Sequence, residues 1–286
     1  VRVVVTGTNG LLGSRLVRLL TERGHEVTAF TREVVDLSDL KSVQIEIGRA
    51  MPEVIFNPAS MTEVDKCEAD RERAFRDNVL SAANLASASR ATGAHLIHVS
   101  TDYVFDGNHG PYLESDQPNP RGVYAKTKRM GEEAIETLGG SFAIARTAVV
   151  YGWPKATRTN FGAWLMDQLS AGEPVKLFSD QFVSPTLVDN AAEMLVELGE
   201  RKCEGMWNIA GAEVVSRVAF GLAFCKELGF DPRLVIPTRL AELNLASPRP
   251  MHSGLNVEKA LTILENKPMG VLEAIRRFKR LHAASA

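Results

Sequence analysis

A doubly wound α/β fold, with a parallel sheet between two helical layers and a smaller C-terminal lobe, is what the 286-residue sequence predicts. Three observations carry that expectation. Short β-branched runs alternate with longer amphipathic stretches through the first half, the runs are apolar almost throughout, and the alternation weakens after about residue 150. A strand covered on both faces has no polar side to show, so it reads as a continuous apolar run, and parallel neighbours need helical crossovers between them.

Taken in order, strands are expected over residues 3–5, 27–30, 54–56, 96–99 and 142–145, and helices between them over 11–23, 37–50, 71–91 and 124–138. Beyond residue 150, loop-like pieces carrying Trp153, Pro154, Pro174 and Pro185 separate expected helices over 161–170, 187–198, 217–228 and 271–282. Residues 232–250 form a proline-punctuated stretch. The length suits one large domain or a principal domain with a lobe, and no internal repeat divides it.

The composition, 45% hydrophobic and 24% charged with a formal net charge of −2, is that of a soluble globular protein and does not favour nucleic acid as a partner, which would call for a strongly basic surface. No apolar run approaches the roughly 18 residues of a membrane span, and no signal-peptide layout precedes the first strand. Cys67, Cys203 and Cys225 are odd in number and widely spaced, which suggests neither a disulfide framework nor a zinc site. A reduced, cytoplasmic setting is therefore expected, with no membrane partner. His95 and His98 read as packed or hydrogen-bonded side chains, and no metal site is assigned. Asp65, Glu68 and Asp70 read as an acidic cap to the helix that starts at Arg71.

The first strand runs into Gly7-Thr8-Asn9-Gly10-Leu11-Leu12-Gly13 and then directly into a helix pattern. Glycine permits the tight turn and the close approach of backbone, while the helix start offers unpaired N–H groups and a positive dipole end to a pyrophosphate. The spacing is G-x-x-G-x-x-G, a weak signal alone; its place between a strand and a helix points to a dinucleotide site in a Rossmann-type sheet. Residues 1–150 are thus expected to form the NAD(P)-binding domain, and 151–286 mainly a substrate-binding lobe with some segments returning to the first domain. After the second strand, Thr31 and Arg32 can hold a 2′-phosphate, so NADP(H) is preferred and NAD(H) stays open beside Glu33. Asp36, Leu37, Pro58, Ala59 and Ser60 fall at the same carboxyl edge, where the adenine and its ribose are expected.

The strand over 96–99 ends in Ser100-Thr101-Asp102-Tyr103, and Tyr124 and Lys128 stand i, i+4 on one face of a later helix. Hydride arriving at a carbonyl carbon develops negative charge on oxygen, which needs a positioned proton donor. A phenol is a poor acid near neutral pH, but a neighbouring ammonium lowers its pKa. Tyr124 is expected to be that donor, Lys128 to lower its pKa and hold the cofactor ribose, and Thr101 to bond the substrate oxygen.

At this point the sequence resembles the dTDP-4-dehydrorhamnose reductase family, extended short-chain dehydrogenases/reductases. The likeness lies in Gly7 to Gly13, Ser100-Thr101-Asp102-Tyr103-Val104-Phe105-Asp106-Gly107, Tyr124 to Lys128, Asp180-Gln181-Phe182-Val183-Ser184-Pro185-Thr186, and Arg249-Pro250 with Ser253 and Leu255. The resemblance implies Thr101, Tyr124 and Lys128 as the catalytic set. It further implies Asn78 as the helix asparagine supporting the lysine through a water, with Asp102, Tyr103, Gln181 and Thr186 facing a nucleotide sugar. The expected function is NADP(H)-dependent reduction of a nucleotide-linked 4-keto-6-deoxy sugar, as in dTDP-rhamnose biosynthesis. An acid other than Glu beside Thr101, namely Asp102, argues against a dehydratase. In related proteins the helices matching 71–91 and 124–138 often pair across a homodimer.

One departure stands out: Arg146-Thr147-Ala148-Val149-Val150-Tyr151-Gly152 has Val149 where rhamnose-forming reductases carry Trp. That loss, with Leu11-Leu12 and Phe30-Thr31-Arg32, is also similar to the regulatory beta subunit of methionine adenosyltransferase. The alternative expectation is accordingly a non-catalytic NADP-binding regulatory subunit.

Overall fold

The computed structural model describes residues 1–153 and 159–284, so Pro154 of the expected loop lies outside the described residues. In chain order the elements are β1 (Arg2–Thr6), α1 (Leu11–Glu22), β2 (Glu26–Phe30), α2 (Leu40–Ala50), β3 (Val54–Asn57), α3 (Val64–Ala69), α4 (Arg71–Phe75), a π-helical turn (Arg76–Leu80), α5 (Ser81–Thr92), β4 (His95–Thr101), α6 (Gly122–Leu138), β5 (Phe142–Thr147) and β6 (Val150–Tyr151). There follow α7 (Phe161–Ser170), β7 (Val175–Phe178), β8 (Phe182–Val183), β9 (Thr186–Leu187), α8 (Val188–Glu200), β10 (Gly205–Asn208), β11 (Val215–Ser216), α9 (Arg217–Leu228), β12 (Val235–Thr238), α10 (Glu258–Ile263) and α11 (Val271–Ala283).

Among the described residues the main sheet is six-stranded in the order β10-β5-β4-β3-β1-β2, and its pairs are all parallel. The apolar runs explain it. Val3 and Val5 bury on one face with Leu16, Leu20, Phe56 and Leu195, while Val4 and Ile55 bury on the other with Val43, Ile47, Leu85 and Ile135. β2 lies to one side of β1 and β3 to the other, so the strand order reverses at β1 and opens a crevice at the carboxyl ends of β1 and β3. α8 and β10, both beyond residue 150, pack on α1 and extend the sheet past β5.

The other lobe has its own core of Tyr151, Leu165, Leu177, Phe220, Phe224 and Phe278. Its parallel pair β7–β12 joins segments on either side of α8, α9 and β10. The proline-punctuated stretch therefore hides a strand. Pro237 is tolerated because β12 belongs to a two-stranded sheet and has an edge without a ladder partner.

Two helices differ from expectation. α2 starts at Leu40 because Asp36 turns the chain by accepting from the Ser38 N–H at 2.9 Å, and Asp39 then caps the Lys41 N–H. The helix expected over 71–91 is interrupted by the π turn at Arg76–Leu80, which re-aims Asn78 into the protein. Among the described residues no helix is long and apolar enough to cross a membrane.

Candidate active site

At the carboxyl end of β1, Gly7 adopts φ +57°, and a Cβ on Gly13 would lie 2.2 Å from the Gly7 carbonyl oxygen. Only glycine lets the turn fold back onto the start of α1. Gly10 stands at the N-cap of α1 and has no side chain to bond the first turn. A Cβ on Gly7 would also crowd Ala59, at 3.0 Å from its Cα, so β1 and β3 end against each other. Concave, donor-rich and positive at a helix start, the turn fits a pyrophosphate.

Farther along this edge Arg32, largely exposed, donates to Asp77 at 2.9 Å. Asp77 also draws Arg73 and Arg76, at 3.4 and 3.5 Å. Three arginines share that carboxylate, with the Asp36 and Glu33 carboxylates near them, so the edge offers guanidinium donors to a 2′-phosphate without a surplus of positive charge. Leu37 turns its carbonyl to Asn84 at 3.0 Å, and the Ala59 N–H reaches Thr6 Oγ1 at 3.4 Å, which pins the loop of Pro58, Ala59 and Ser60.

Thr101 closes β4, and Tyr124 and Lys128 are buried on one face of α6. The Tyr124 hydroxyl shares a hydrogen bond with Thr101, and burial pushes the phenol above its ordinary range. Lys128 Nζ instead donates to the Val99 carbonyl at 2.7 Å and faces His98 Nε2 at 3.5 Å. Burial pushes the lysine down to about 8, with Glu132 opposing. The expected lowering of the phenol by Lys128 is thus not found, because the ammonium is drawn to the β4 backbone. Below the pair, the Glu132 carboxylate grips Arg146 at 3.0 and 2.8 Å, locking α6 to β5.

Asp102 is 2% exposed and accepts from Thr101 Oγ1 at 3.1 Å and from Ser253 Oγ at 2.6 Å. Burial raises its carboxyl to about 6 against the pull of those two hydroxyls and of Arg217. Tyr103 meets the Tyr124 ring edge-on at 5.8 Å and bonds Gln181, which accepts from Arg217 Nε at 3.1 Å and donates to the Pro250 carbonyl at 3.2 Å. Arg217 opens onto a cleft of about 380 Å³ also lined by Val149, Phe161, Trp164, Lys176 and Phe178. Val149 holds φ +44°, an uncommon conformation for a β-branched residue. Phe161, Trp164 and Phe178 supply the aromatic part of the cleft lining.

Several expectations change. Thr186 does not face this site: it is 0% exposed, donates to the Ala148 and Ser184 carbonyls at 2.7 and 3.0 Å, and accepts from the Gly211 N–H at 3.2 Å. Its hydroxyl is used up in joining β6, β9 and the loop after β10. Asn78 spends its amide on both backbone groups of Met61, at 2.7 and 3.2 Å, and on Thr127 Oγ1 at 3.0 Å, so its side chain staples the loop after β3 to α6. Of the acidic loop only Asp70 caps the next helix, at the Arg73 N–H. Asp65 takes Arg249 at 2.7 Å, and Glu68 takes Ser247 Oγ and the Val123 N–H, which ties the segment before Ser253 to the start of α6. Sequence reasoning missed Arg217 and the Ser253 bond to Asp102, since nothing local marks residues that meet only through the fold.

The chain matches the family described as "RmlD substrate binding domain" over residues 1–280. It is 37% identical over 262 residues, 89% of this chain and 84% of the relative, to a dTDP-4-dehydrorhamnose reductase of Mycobacterium tuberculosis. To the spore coat polysaccharide biosynthesis protein SpsK of Bacillus subtilis it is 32% identical over 97% of this chain and 96% of the relative. A crystal structure of dTDP-4-dehydrorhamnose reductase from Bacillus anthracis in complex with NADP superposes with TM-score 0.91 at 28% identity, covering 98% of each chain.

Proposed function

We propose, because this chain belongs to the RmlD substrate binding domain family, that it is an NADP(H)-dependent reductase of a nucleotide-linked 4-keto-6-deoxy sugar. The observation that carries the reading is the meeting of Tyr124 and Thr101 at the same sheet edge as the Gly7–Gly13 cradle. Gly7, Gly10 and the N–H groups of Leu11, Leu12 and Gly13 would hold the pyrophosphate, with Asn9 in the turn. Thr31 and Arg32 would take the 2′-phosphate, and Asp36, Leu37, Pro58, Ala59 and Ser60 would flank the adenine and its ribose. NADPH, when bound, supplies the hydride.

The protein's own groups handle the proton. Burial keeps the Tyr124 phenol protonated at neutral pH, and an alkoxide forming on the substrate is a far stronger base than a phenolate, so transfer from the Tyr124 hydroxyl runs downhill. Thr101, whose hydroxyl donates to Asp102 before substrate arrives, would turn that proton to the carbonyl oxygen and hold it beside the donor. Lys128, anchored on Val99, would hold the ribose. The nucleotide would lie towards Arg217 and the aromatic cleft, where guanidinium and rings offer phosphate bonding and base stacking. Cys67, Cys203 and Cys225 are free thiols, which supports a reduced, cytoplasmic setting. The regulatory-subunit alternative gains nothing from these relatives, which are named as reductases or as a biosynthesis protein.

The test is NADPH oxidation, followed by absorbance, against a panel of nucleotide-linked 4-keto-6-deoxy sugars with NADH alongside. Turnover of at least one sugar, faster with NADPH, is the expected result. Tight NADPH binding with no turnover of any sugar would overturn the proposal.

A further inference from the structure

Beside the proton-donating pair runs a file of buried polar side chains that the proposed reaction leaves without a part. Thr6 closes β1, Asn57 closes β3, and His98 is the register partner of Asn57 on β4, so three adjacent strands present them at one level. Thr6 Oγ1 lies 2.6 Å from Asn57 Oδ1, Asn57 Nδ2 lies 3.0 Å from His98 Nδ1, and His98 Nε2 lies 3.5 Å from Lys128 Nζ. Thr6, Asn57, His98 and Lys128 are 0, 1, 1 and 2% exposed, so water cannot repair a mismatch among them.

That isolation restricts the file to two senses. Burial and the facing lysine hold His98 neutral, with one proton on one ring nitrogen. In the first sense Thr6 donates to the Asn57 oxygen, the Asn57 amide donates to Nδ1, and the imidazole proton sits on Nε2 facing Lys128. Lys128 must then present a lone pair, as an amine. In the second sense the Lys128 ammonium donates to Nε2, Nδ1–H donates to the Asn57 oxygen, and the amide, turned end for end, donates to Thr6, whose rotating hydroxyl turns its own proton away from Asn57. Turning the amide exchanges oxygen and nitrogen at nearly constant shape, so both senses fit the same cavity.

We propose that His98 is a positioning residue for Lys128, its imidazole carrying the proton on Nδ1 when Lys128 is an ammonium and on Nε2 when Lys128 is an amine. Asn57 and Thr6 extend that setting to the strand end that leads into the glycine turn. An ammonium has three N–H donors. The Val99 carbonyl takes one and His98 a second, which leaves the third directed away from β4, where a ligand hydroxyl can meet it. Glu132, on α6, is the other charge acting on Lys128 and favours the ammonium. Tyr124 lies one turn earlier on that helix, and the groups facing His98 itself are Lys128 and Asn57. Burial places the Lys128 titration at about 8, within reach of ordinary buffers.

This inference rests on the proposed role of Lys128, but its first test needs no turnover. The ring 15N shifts of His98, assigned by their loss in His98→Gln, are followed in the substrate-free protein from about pH 6 to about pH 10, a window that spans the lysine titration. The expected result is Nδ1–H at the acid end, Nε2–H at the alkaline end, and no switch in Lys128→Met. A single tautomer throughout, or a switch that persists in Lys128→Met, overturns the proposal. The second test is the pH profile of kcat/KM. His98→Leu removes an acceptor that supports the ammonium, so the alkaline limb should move about one unit to lower pH, a tenfold change in proton affinity. His98→Gln, which offers a carbonyl oxygen, should restore much of it. A folded His98→Leu enzyme with an unmoved limb would refute the positioning role. A wild-type protein that turns over no sugar refutes the reductase reading alone, and the tautomer switch is then judged by the 15N shifts.

Discussion

At the glycine turn one short stretch, Gly7 to Gly13, makes the whole cradle from its own backbone, whereas the Thr101–Asp102 corner draws Tyr124, Gln181, Arg217 and Ser253 from separate parts of the chain. The first is held by what cannot fit: a Cβ at Gly13 would meet backbone at 2.2 Å. The second is held by hydrogen bonds whose partners are buried, apart from the half-buried Arg217, and nearly all committed. Steric construction tolerates pH and most neighbouring substitutions but no added carbon, while a polar network tolerates changes of size poorly and responds to single protons.

The largest expected effect lies at the polar corner. Tyr124→Phe removes the donor while keeping the ring that meets Tyr103, so turnover should fall by about a thousandfold, the range of a general acid, with NADPH affinity changed by no more than about twofold. NADPH oxidation and fluorescence titration measure the two numbers. Full turnover by Tyr124→Phe would end the role assigned to this corner. At the steric end the order reverses: Gly13→Ala should weaken NADPH by about a hundredfold, roughly 3 kcal/mol, because the turn must open before the helix start can face a phosphate. Retained NADPH affinity in that variant would mean that the turn is not built by exclusion.

Asp102 sharpens the contrast through pH. Its pKa is raised in the fold to about 6 from an ordinary 3.8, mainly by burial, so the native protein holds this proton more tightly than the unfolded chain does. The raised value favours the fold at low pH, and the advantage is lost as pH rises from about 4 through about 6, above which the buried carboxylate is a cost. Asn cannot ionise. Asp102→Asn should therefore gain about 3 kcal/mol at pH 8 and little at pH 4, as read by urea denaturation at the two values. A gain of equal size at both would show that charge burial is not what strains this corner.

The same contrast explains what could be read from the sequence. The five strands of the first half, the helices ending at Glu22 and Leu138, and the glycine turn are written in local periodicity and in residues whose meaning is steric. Tyr124, Lys128 and Thr101 were legible because a helix face and a strand end fix their placement. Thr186 was misplaced because a motif residue at a strand end looks alike whether its hydroxyl faces a ligand or, as here, three backbone groups. The π turn that aims Asn78 at Met61 and Thr127 has no distinctive composition, and Pro237 hid β12 by suggesting that no strand could pass. The linkage of Asp65 and Glu68 to Arg249 and Ser247 spans most of the chain, beyond any local pattern.

Arg32 belongs to neither kind of construction and should show the smallest effect. It is exposed and pairs with an Asp77 that Arg73 and Arg76 share, so solvent screens it and a 2′-phosphate must compete with a carboxylate already in place. Arg32→Ala should lower the preference for NADPH over NADH by about tenfold or less, roughly 1 kcal/mol, because Arg73 and Arg76 still offer guanidinium donors. Asp77→Asn should raise the preference by a similar factor, since it frees all three guanidinium groups at once. Both effects should shrink in high salt, unlike those at Gly13 and Tyr124. An Arg32→Ala change that abolishes NADPH selectivity outright would show that this arginine grips the phosphate as a fixed bidentate partner, and the cofactor end would then depend on one side chain as much as on its backbone.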